Sequence, residues 1–219
     1  YRGDDLLQDF CRGKSNQNTV FLASNGKAYT LSAHSLPSAR GLGDPITGRI
    51  SADSGIIFKS CAIGEQEDKY VVSNSAGFGY ISDFASMISN KKSGRAFMKV
   101  PEGADVHRVI KYREDHEFIV AISSIGRMLI FKIEELPFLQ KGKGNKIINI
   151  PTPKFKSGEE SMTHIELLAP ESILRIDSGK QHMRLKFKDL QNYISTRAKR
   201  GNMLPQGYRK VDSIIEELE

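Results

Sequence analysis

Four segments of the chain repeat one plan at intervals of about 50 residues, and this period constrains the fold more than any other feature. Each repeat contains a short β-rich run, a tight turn with a glycine, and a second β-rich run. The turn glycines are Gly26, Gly77, Gly126 and Gly179, at spacings of 51, 49 and 53 residues. A strand, a glycine turn and a second strand are typical of a β-hairpin, and Asn25-Gly26 is the strongest form of that signal. The sequence therefore predicts one hairpin in each repeat.

A second glycine follows each hairpin and has basic residues beside it. These second glycines are Gly43, Gly94, Gly144 and Gly201, at 17, 17, 18 and 22 residues after the turn glycine. Glycine lets one backbone approach another closely, and neighbouring lysines place positive charge at the same surface. The clearest example is the stretch Gln140–Ile150, in which three lysines alternate with glycine and asparagine before an apolar run. We expect a new strand to start after each second glycine, at Ile46, Ala96, Ile147 and Met203.

The basic residues follow the same period. The windows 10–43, 86–101, 137–157 and 190–211 contain no Asp or Glu and hold 18 of the 32 Lys and Arg residues. A single charge run is usually a solvated face, but clusters in phase with a repeat predict a positive track along one edge of the array. Such a track suits the phosphate backbone of a nucleic acid. The predicted phosphate contacts are Arg40, Lys91, Lys92, Arg95, Lys141, Lys143, Lys146, Lys199 and Arg200. Arg127 and Lys180, at hairpin turns, are second-rank candidates.

The repeat length predicts the domain organisation. Several short strands in a unit of about 50 residues are typical of the blades of a propeller-like array. We predict one all-β domain over residues 1–219, with four-stranded blades and at most a helical turn at 35–39 and 134–139. The chain begins with Tyr1 rather than Met, so we expect a piece of a longer protein, and its tail 212–219 is either a last strand or a frayed end. The predicted units are 1–16 (the end of a truncated blade), 17–68, 69–116, 117–170 and 171–219.

No motif in the chain indicates catalysis, a metal or a cofactor. Gly13-Lys14-Ser15 resembles the end of a P-loop, but Gln8 occupies the position of the first glycine. The five histidines do not show metal-ligand spacing, and Cys11 and Cys61 are expected to be reduced thiols. No run of 18 apolar residues predicts a membrane span. A net charge of +6 favours an anionic partner.

Several strings in the chain carry a resemblance to a known family. They are Arg12–Gln17, Leu36–Pro45, Gly126–Leu129 and Lys141–Pro151. With these strings the chain resembles, over its whole length, the C-terminal domain of the A subunit of bacterial topoisomerase IV, a relative of the gyrase A C-terminal domain. The resemblance implies a β-pinwheel, in which propeller-like blades exchange strands with their neighbours.

The resemblance also implies a function. Duplex DNA would be bound and bent on a basic outer rim, which would steer the transported segment during decatenation and supercoil relaxation by an ATP-dependent type II topoisomerase. The nucleophilic tyrosine, ATP and Mg²⁺ would belong to other domains. The implied partners are duplex DNA, the rest of the same polypeptide and the separate ATPase subunit in a heterotetramer, with a condensin-type protein as a further candidate. The implied location is the cytoplasm, at the bacterial chromosome.

Two alternatives stay open at this point. The gyrase hallmark, a Gln-Arg-Arg-Gly-Gly-(Lys/Arg)-Gly box, is absent, and Gln140–Gly144 is only a degenerate version. This favours topoisomerase IV, although in gyrase the box lies in the blade that would precede Tyr1, so the equivalent gyrase domain remains an alternative. The other alternative is a propeller whose rim binds an acidic protein such as a chromosome-organising partner. An enzyme with its own active site has no residue constellation to support it.

Overall fold

Strands are the main regular secondary structure of residues 7–38, 41 and 43–218, the part of the chain that the structure, a computed structural model, describes. The strands are β1 (Asn18–Ala23), β2 (Lys27–Ser32), β3 (Phe58–Gly64), β4 (Lys69–Asn74), β5 (Phe78–Asp83), β6 (Arg95–Ala96), β7 (Ile110–Lys111), β8 (Phe118–Ser123), β9 (Arg127–Lys132), β10 (Asn145–Lys146), β11 (Met162–Leu168), β12 (Ile173–Ser178), β13 (Gln181–Leu185), β14 (Asn202–Met203) and β15 (Ser213–Glu217). The α-helices are α1 (Phe84–Met87) and α2 (Thr152–Lys156). Single 3₁₀ turns or short 3₁₀ helices cover Ala33–Ser35, Ile46–Gly48, Ile133–Glu135, Phe187–Tyr193 and Gln206–Tyr208.

The four predicted hairpins are confirmed. Strands β1 and β2, β4 and β5, β8 and β9, and β12 and β13 pair antiparallel around the turn glycines. Gly26, Gly77 and Gly126 adopt φ values of +79°, +82° and +80°, and Gly179 adopts +60°. Residues with a Cβ rarely adopt this left-handed conformation, which explains the glycine in each turn.

Each hairpin is the centre of one sheet, and neighbouring repeats exchange a strand. The strand orders are β3-β1-β2-β6, β10-β5-β4-β7, β11-β8-β9-β14 and β13-β12-β15. The short strands β6, β10 and β14 come from the repeat that follows the hairpin with which they pair. This exchange is the arrangement of a β-pinwheel, so the predicted fold class is confirmed.

The second glycines make the exchange possible. Gly94, Gly144 and Gly201 adopt φ values of +70°, +76° and +69° directly before β6, β10 and β14. A Cβ on Gly94 would lie 2.9 Å from the carbonyl oxygen of Ala28, and one on Gly144 would overlap the carbonyl group of Gly79. The exchanged segments therefore approach the preceding hairpin at a distance that only glycine permits.

Backbone hydrogen bonds fasten each exchanged segment to the turn of the preceding hairpin. The carbonyl oxygens of Gly26, Gly77 and Gly126 accept hydrogen bonds from the N–H groups of Met98, Ile147 and Leu204, at 2.9, 2.7 and 2.8 Å. The same bond thus recurs at three junctions of the array. It joins each of these turn glycines to a residue three or four positions after the second glycine of the next repeat.

The core lies between successive sheets. Val71 of β4 packs toward the third sheet, with Ile119 of β8, whereas Val72 packs toward the first sheet, with Val20. Because successive strand residues point to opposite faces, a sheet with neighbours on both sides buries every residue of its central strand. Strand β8 shows this, since all six of its residues are buried.

The inner and outer edges of the sheets can be told apart by a central cavity of about 780 Å³. Its lining includes Lys59 of β3, Ile110 of β7, Ile165 of β11 and Ile214 of β15, together with Gln8. These strands form one edge of their sheets, and β6, β10 and β14 form the opposite edge of the first three. The exchanged strands therefore lie on the outside of the array.

Three sequence expectations need correction or completion. A 3₁₀ turn, Ile46–Gly48, occurs where a strand was predicted, because Pro45 has no N–H to donate and no preceding hairpin is present among the described residues to pair with it. The exchanged strands begin one or two residues before the predicted starts, and β10 ends before Ile147. Helices α1 and α2 and the seven-residue 3₁₀ helix Phe187–Tyr193 were not predicted. The tail forms strand β15, which is one of the two alternatives considered.

Replacement of Gly144 by alanine should destabilise the fold more than an equivalent replacement away from the exchange. Gly158 is a matched control, because its φ is +77° and a Cβ there would meet nothing within 4 Å. We expect Gly158→Ala to cost roughly 1–2 kcal/mol for the left-handed backbone alone, and Gly144→Ala to cost about 1–3 kcal/mol more for the overlap with Gly79. Denaturant unfolding of both variants measures the difference. Equal losses would show that the close approach at Gly144 does not contribute to stability.

Candidate nucleic-acid interface

The segments that carry the exchanged strands, here called the exchange loops, form a continuous series. They are defined as residues 91–99 in the second repeat, 141–149 in the third and 198–210 in the fourth. The N–H of Lys99 donates to the carbonyl oxygen of Gly142 at 2.9 Å, and the N–H of Asn149 donates to that of Lys199 at 2.9 Å. Each exchange loop is therefore hydrogen-bonded to the next one along the outer edge.

Basic residues in the acid-free sequence windows that contain the exchange loops form fewer ion pairs than basic residues elsewhere in the chain. Windows 86–101, 137–157 and 190–211 hold 14 Lys and Arg residues, and among the described residues only Arg200 of these forms an ion pair with a carboxylate. By contrast, at least nine of the 16 described basic residues elsewhere are paired. The unpaired positive charge is thus concentrated on the outer edge.

In the second-repeat loop the three predicted contacts lie close together. Lys91 and Lys92 are exposed in the turn that ends at Gly94. Arg95 is half-buried in β6 and donates from Nη1 to the carbonyl oxygen of Ile88 at 3.3 Å. Lys99, which the prediction omitted, is also exposed and is hydrogen-bonded through its backbone to the next loop. Its position in the same acid-free window is the signal that could have identified it.

In the third-repeat loop the three lysines have different side-chain contacts. Lys141 is exposed, and Lys143 lies over the ring of Phe78, with Nζ 3.9 Å from the ring centroid. Lys146 donates from Nζ to Oδ1 of Asn149 at 3.1 Å. A cation over an aromatic face is stabilised modestly at exposed sites, so Lys143 keeps a defined direction without losing its charge.

In the fourth-repeat loop two adjacent predicted contacts have different environments. Lys199 is exposed and has no ion pair among the described residues. Arg200 donates from Nη2 to the buried carboxylate of Glu160 at 2.9 Å and from Nη1 to the carbonyl oxygen of Asn149 at 2.6 Å. Its charge is therefore compensated within the protein, and its guanidinium holds the third- and fourth-repeat loops together. Sequence reasoning missed this role of Glu160, because 40 residues separate the partners.

The remaining candidates lie at the turns or outside the described residues. Arg127 donates from Nη1 to the carbonyl oxygen of Gly201 at 3.0 Å, and its Nε is buried without a hydrogen-bond partner. It therefore supports the exchange at that junction. Lys180 is exposed at the last hairpin turn. Arg40 falls outside the described residues.

The central cavity differs electrostatically from the outer edge. Lys59 is paired with Asp105 at 3.1 Å, and Arg108 lies 3.9 Å from Asp9. Burial lowers the pKa of His107 to about 4, so this side chain is neutral at pH 7. The cavity lining thus has no excess of positive charge, since Glu166 and Asp212 also line it. A polyanion would be attracted to the outside of the array instead.

Within the described ranges, no group of three or more His, Cys, Asp or Glu side chains is arranged to hold a metal ion. None of the helices described is both long and apolar enough to cross a bilayer.

Comparison with known proteins identifies the class first. No protein-family model matches the chain. The structure is similar to the structure of the DNA gyrase A C-terminal domain, with a TM-score of 0.67 over 94% of this chain and 67% of that one, at 12% identity. This similarity shows the fold alone. The chain is a β-pinwheel domain and shares its fold with the gyrase A C-terminal domain.

The particular family follows from closer relatives. The structure of the E. coli ParC C-terminal domain matches with a TM-score of 0.87 and 33% identity, covering 94% of this chain and 84% of that one. The A subunit of DNA topoisomerase 4 from Pseudomonas aeruginosa is 36% identical over 219 residues, which is all of this chain and 29% of that protein. The chain therefore belongs to the family of C-terminal domains of the DNA topoisomerase 4 A subunit, ParC. It spans less than a third of the length of the curated relatives that it matches.

The different environments of Lys199 and Arg200 predict different effects on stability. We expect Arg200→Gln to lower the free energy of unfolding by roughly 2–4 kcal/mol, because it leaves the buried carboxylate of Glu160 without a countercharge. Lys199→Gln should change it by less than about 0.5 kcal/mol, as is usual for an exposed side chain. Denaturant unfolding of the two single variants provides the comparison. Similar small effects in both would mean that Arg200 is not a structural residue.

Proposed function

We propose that the exchange loops bind the phosphate backbone of duplex DNA. The observation that carries this proposal is the series of backbone-linked loops on the outer edge, whose lysines have no carboxylate partner among the described residues. A duplex carries about one negative charge per 1.7 Å of axis, so a row of unpaired lysines would displace condensed counterions along its whole length. The primary contacts in this proposal are Lys91, Lys92, Lys141, Lys143 and Lys199, with Lys99 added.

The chemistry favours contacts to phosphate over the reading of base edges. Lysine is a point charge on a flexible stem, whereas bidentate recognition of guanine or adenine usually uses Arg, Asn or Gln from an element inserted in a groove. The exchange loops present mainly lysines, and their two-residue strands are held against the sheet. Binding should therefore depend little on DNA sequence.

The curvature of the array supports DNA bending. The inner strands of all four sheets, β3, β7, β11 and β15, line one cavity, so the outer edges follow an arc around it. A duplex in contact with three successive loops would have to follow that arc. Bending a site of 20–30 base pairs by 40–90° costs on the order of 1–6 kcal/mol, which several charge-assisted phosphate contacts can offset.

In the complete protein this domain would steer DNA for a type II topoisomerase. Bound and bent DNA would be presented to the rest of the ParC polypeptide for decatenation and supercoil relaxation, together with the ATPase subunit in a heterotetramer in the bacterial cytoplasm. ATP and Mg²⁺ would act in those other domains. This assignment rests on the family to which the chain belongs and on the basic outer edge. The domain itself would contribute no catalytic residue.

Docking of an acidic protein on the same loops is the second candidate function. The unpaired lysines that support DNA binding also support this alternative, and a condensin-type chromosome-organising protein is the partner we would test. Competition between random-sequence duplex and the acidic partner separates the two functions.

Removal of one lysine from each exchange loop should weaken DNA binding in a salt-dependent way. For Lys91→Gln combined with Lys141→Gln and Lys199→Gln, we expect the slope of log Kobs against log salt to become less steep by about 2.7, since each phosphate contact contributes about 0.9. Affinity for duplexes of different sequence should fall by the same factor. Fluorescence anisotropy over a salt series measures both quantities.

The matched control removes three lysines outside the exchange loops. Lys69 and Lys132 lie at the hairpin ends opposite the glycine turns, and Lys111 lies in the inner strand β7. Lys69→Gln combined with Lys111→Gln and Lys132→Gln lowers the net charge equally. We expect this control to keep the salt slope of the parent protein. A slope that depends only on total charge, or a parent protein whose binding is insensitive to salt, would refute the proposed interface.

Bending should require contact with both the first and the last exchange loop of the series. A short duplex with a donor and an acceptor dye at its ends should show increased energy transfer when it binds the parent protein. Lys91→Gln with Lys92→Gln should reduce this transfer at saturating protein, because the duplex then loses its anchor on the second-repeat loop. Unchanged energy transfer on binding of the parent protein would show that the DNA stays straight.

A further inference from the structure

Basic residues occupy every second position from 180 to 188, through the outermost strand of the fourth sheet and the short segments on either side of it. This basic strip runs through and beyond β13 and consists of Lys180, His182, Arg184, Lys186 and Lys188. All five residues are exposed. The intervening Met183, Leu185 and Phe187 pack against the core between the third and fourth sheets.

The alternation of exposed and core-facing residues follows from packing, but packing does not explain why the exposed residues are all basic. Successive residues of a strand point to opposite faces, so Met183 and Leu185 face the core while His182 and Arg184 face solvent. An exposed strand face needs only to be polar. The solvent-facing residues of the neighbouring strand β12 are of mixed sign, since Arg175 pairs with Asp177 at 2.9 Å. The run of exposed basic residues through β13, with no acidic residue between 180 and 188, therefore needs a further explanation.

The strip occurs on the sheet that has no exchanged strand among the described residues. Strands β2, β5 and β9 are each paired with an exchanged strand, whereas among the described residues nothing pairs with the outer side of β13. A Cβ on Gly179 would meet nothing within 4 Å, whereas one on Gly77 would lie 2.8 Å from the carbonyl oxygen of Ile148. In the first three sheets the exchange loop brings the lysines to the outer edge. In the fourth sheet the edge strand carries the basic residues itself.

The strip is also continuous with the exchange loops. The hydroxyl of Tyr208, in the fourth-repeat loop, donates a hydrogen bond to the carbonyl oxygen of His182 at 3.1 Å. A Cβ on Gly207 would lie 3.1 Å from the side-chain oxygen of Gln181. The fourth-repeat loop therefore lies directly beside β13.

We propose that the basic strip is a further DNA-backbone site, which extends the path of the duplex beyond the fourth-repeat loop. This inference rests on the proposed function of the exchange loops. Alternate residues of a strand are separated by about 6.7 Å, whereas one DNA strand carries a phosphate every 3.4 Å or so of helix axis. Within the extended part of the strip, 182–186, basic side chains thus recur at roughly every second phosphate, and Lys180 in the turn and Lys188 in the 3₁₀ helix lie at its two ends.

Two lysines at the ends of the strip provide the sharpest test. Arg184 is already paired with Glu217 at 2.7 Å, and Asp177 lies directly across the sheet from His182. Lys180 and Lys188 have no ion pair among the described residues. They can therefore be replaced without leaving a carboxylate unpaired.

The experiment compares the intact 219-residue chain with the variant Lys180→Gln plus Lys188→Gln on random-sequence duplexes of increasing length. On long duplexes we expect the salt slope of the variant to be less steep by about 1.8, from two lost phosphate contacts. On the shortest duplex that still binds, parent and variant should be alike. Lys180→Arg plus Lys188→Arg should restore the parent slope, and Lys69→Gln plus Lys132→Gln should leave it unchanged.

Other outcomes assign a different role to the strip or remove the proposed function itself. Edge strands often carry lysines that prevent edge-to-edge association, and a variant that aggregates but binds long duplexes with the parent slope would show this role and overturn the DNA site. A variant that keeps the parent slope on DNA but loses affinity for polyglutamate would also overturn the DNA site, and it would assign the strip to an acidic protein partner. If the parent protein binds no duplex, the proposed function fails together with the strip. If the parent binds with a steep slope that the variant shares at every length, only the strip proposal fails.

Discussion

The close approach of one repeat to the hairpin of the preceding repeat is the contact on which the whole array depends. Gly94, Gly144 and Gly201 place their backbones against the preceding sheet, and the carbonyl oxygens of the first three turn glycines accept hydrogen bonds from the incoming segments. Neither repeat could complete a four-stranded sheet alone. The exchange therefore links the folding of each unit to that of the next, as expected for a repeat protein whose units cannot bury their faces independently.

The same contact sets the position of the charged side chains. Because the backbone on either side of the second glycine is fixed by the sheet, the lysines beside it emerge at the same place in each repeat. The loops are further tied to one another by the Lys99–Gly142 and Asn149–Lys199 hydrogen bonds. Stability and the geometry of the basic edge thus depend on one set of backbone interactions.

The sequence predicts the repeated features well, because they are local. The Asn25-Gly26 pair predicts its turn from neighbouring residues alone. Gly144 and the lysines beside it likewise predict an exchanged segment from a few adjacent positions. Features that depend on distant residues were not predictable. Nothing near Arg200 indicates that Glu160 would be buried beside it, and nothing near Arg127 shows that its guanidinium would bind the carbonyl oxygen of Gly201. Ile46 has the local sequence of a strand start but forms a 3₁₀ turn, since strand formation also requires a partner.

The protein attracts a polyanion to one side because its unpaired positive charges lie on the basic edge, apart from the paired ones. A net charge of +6 spread over 219 residues would produce a weak field with no preferred side. Here the carboxylates neutralise basic residues at the cavity and along the hairpins, as Asp105 does for Lys59 and Asp68 for Lys111. The exchange loops lie in acid-free windows and keep their charge. Since screening limits the reach of surface charges to about 8–10 Å at physiological salt, the local absence of acids matters more for attracting a polyanion than the net charge does. The period of the sequence therefore sets the positions of the strands and also determines which lysines remain available to a partner.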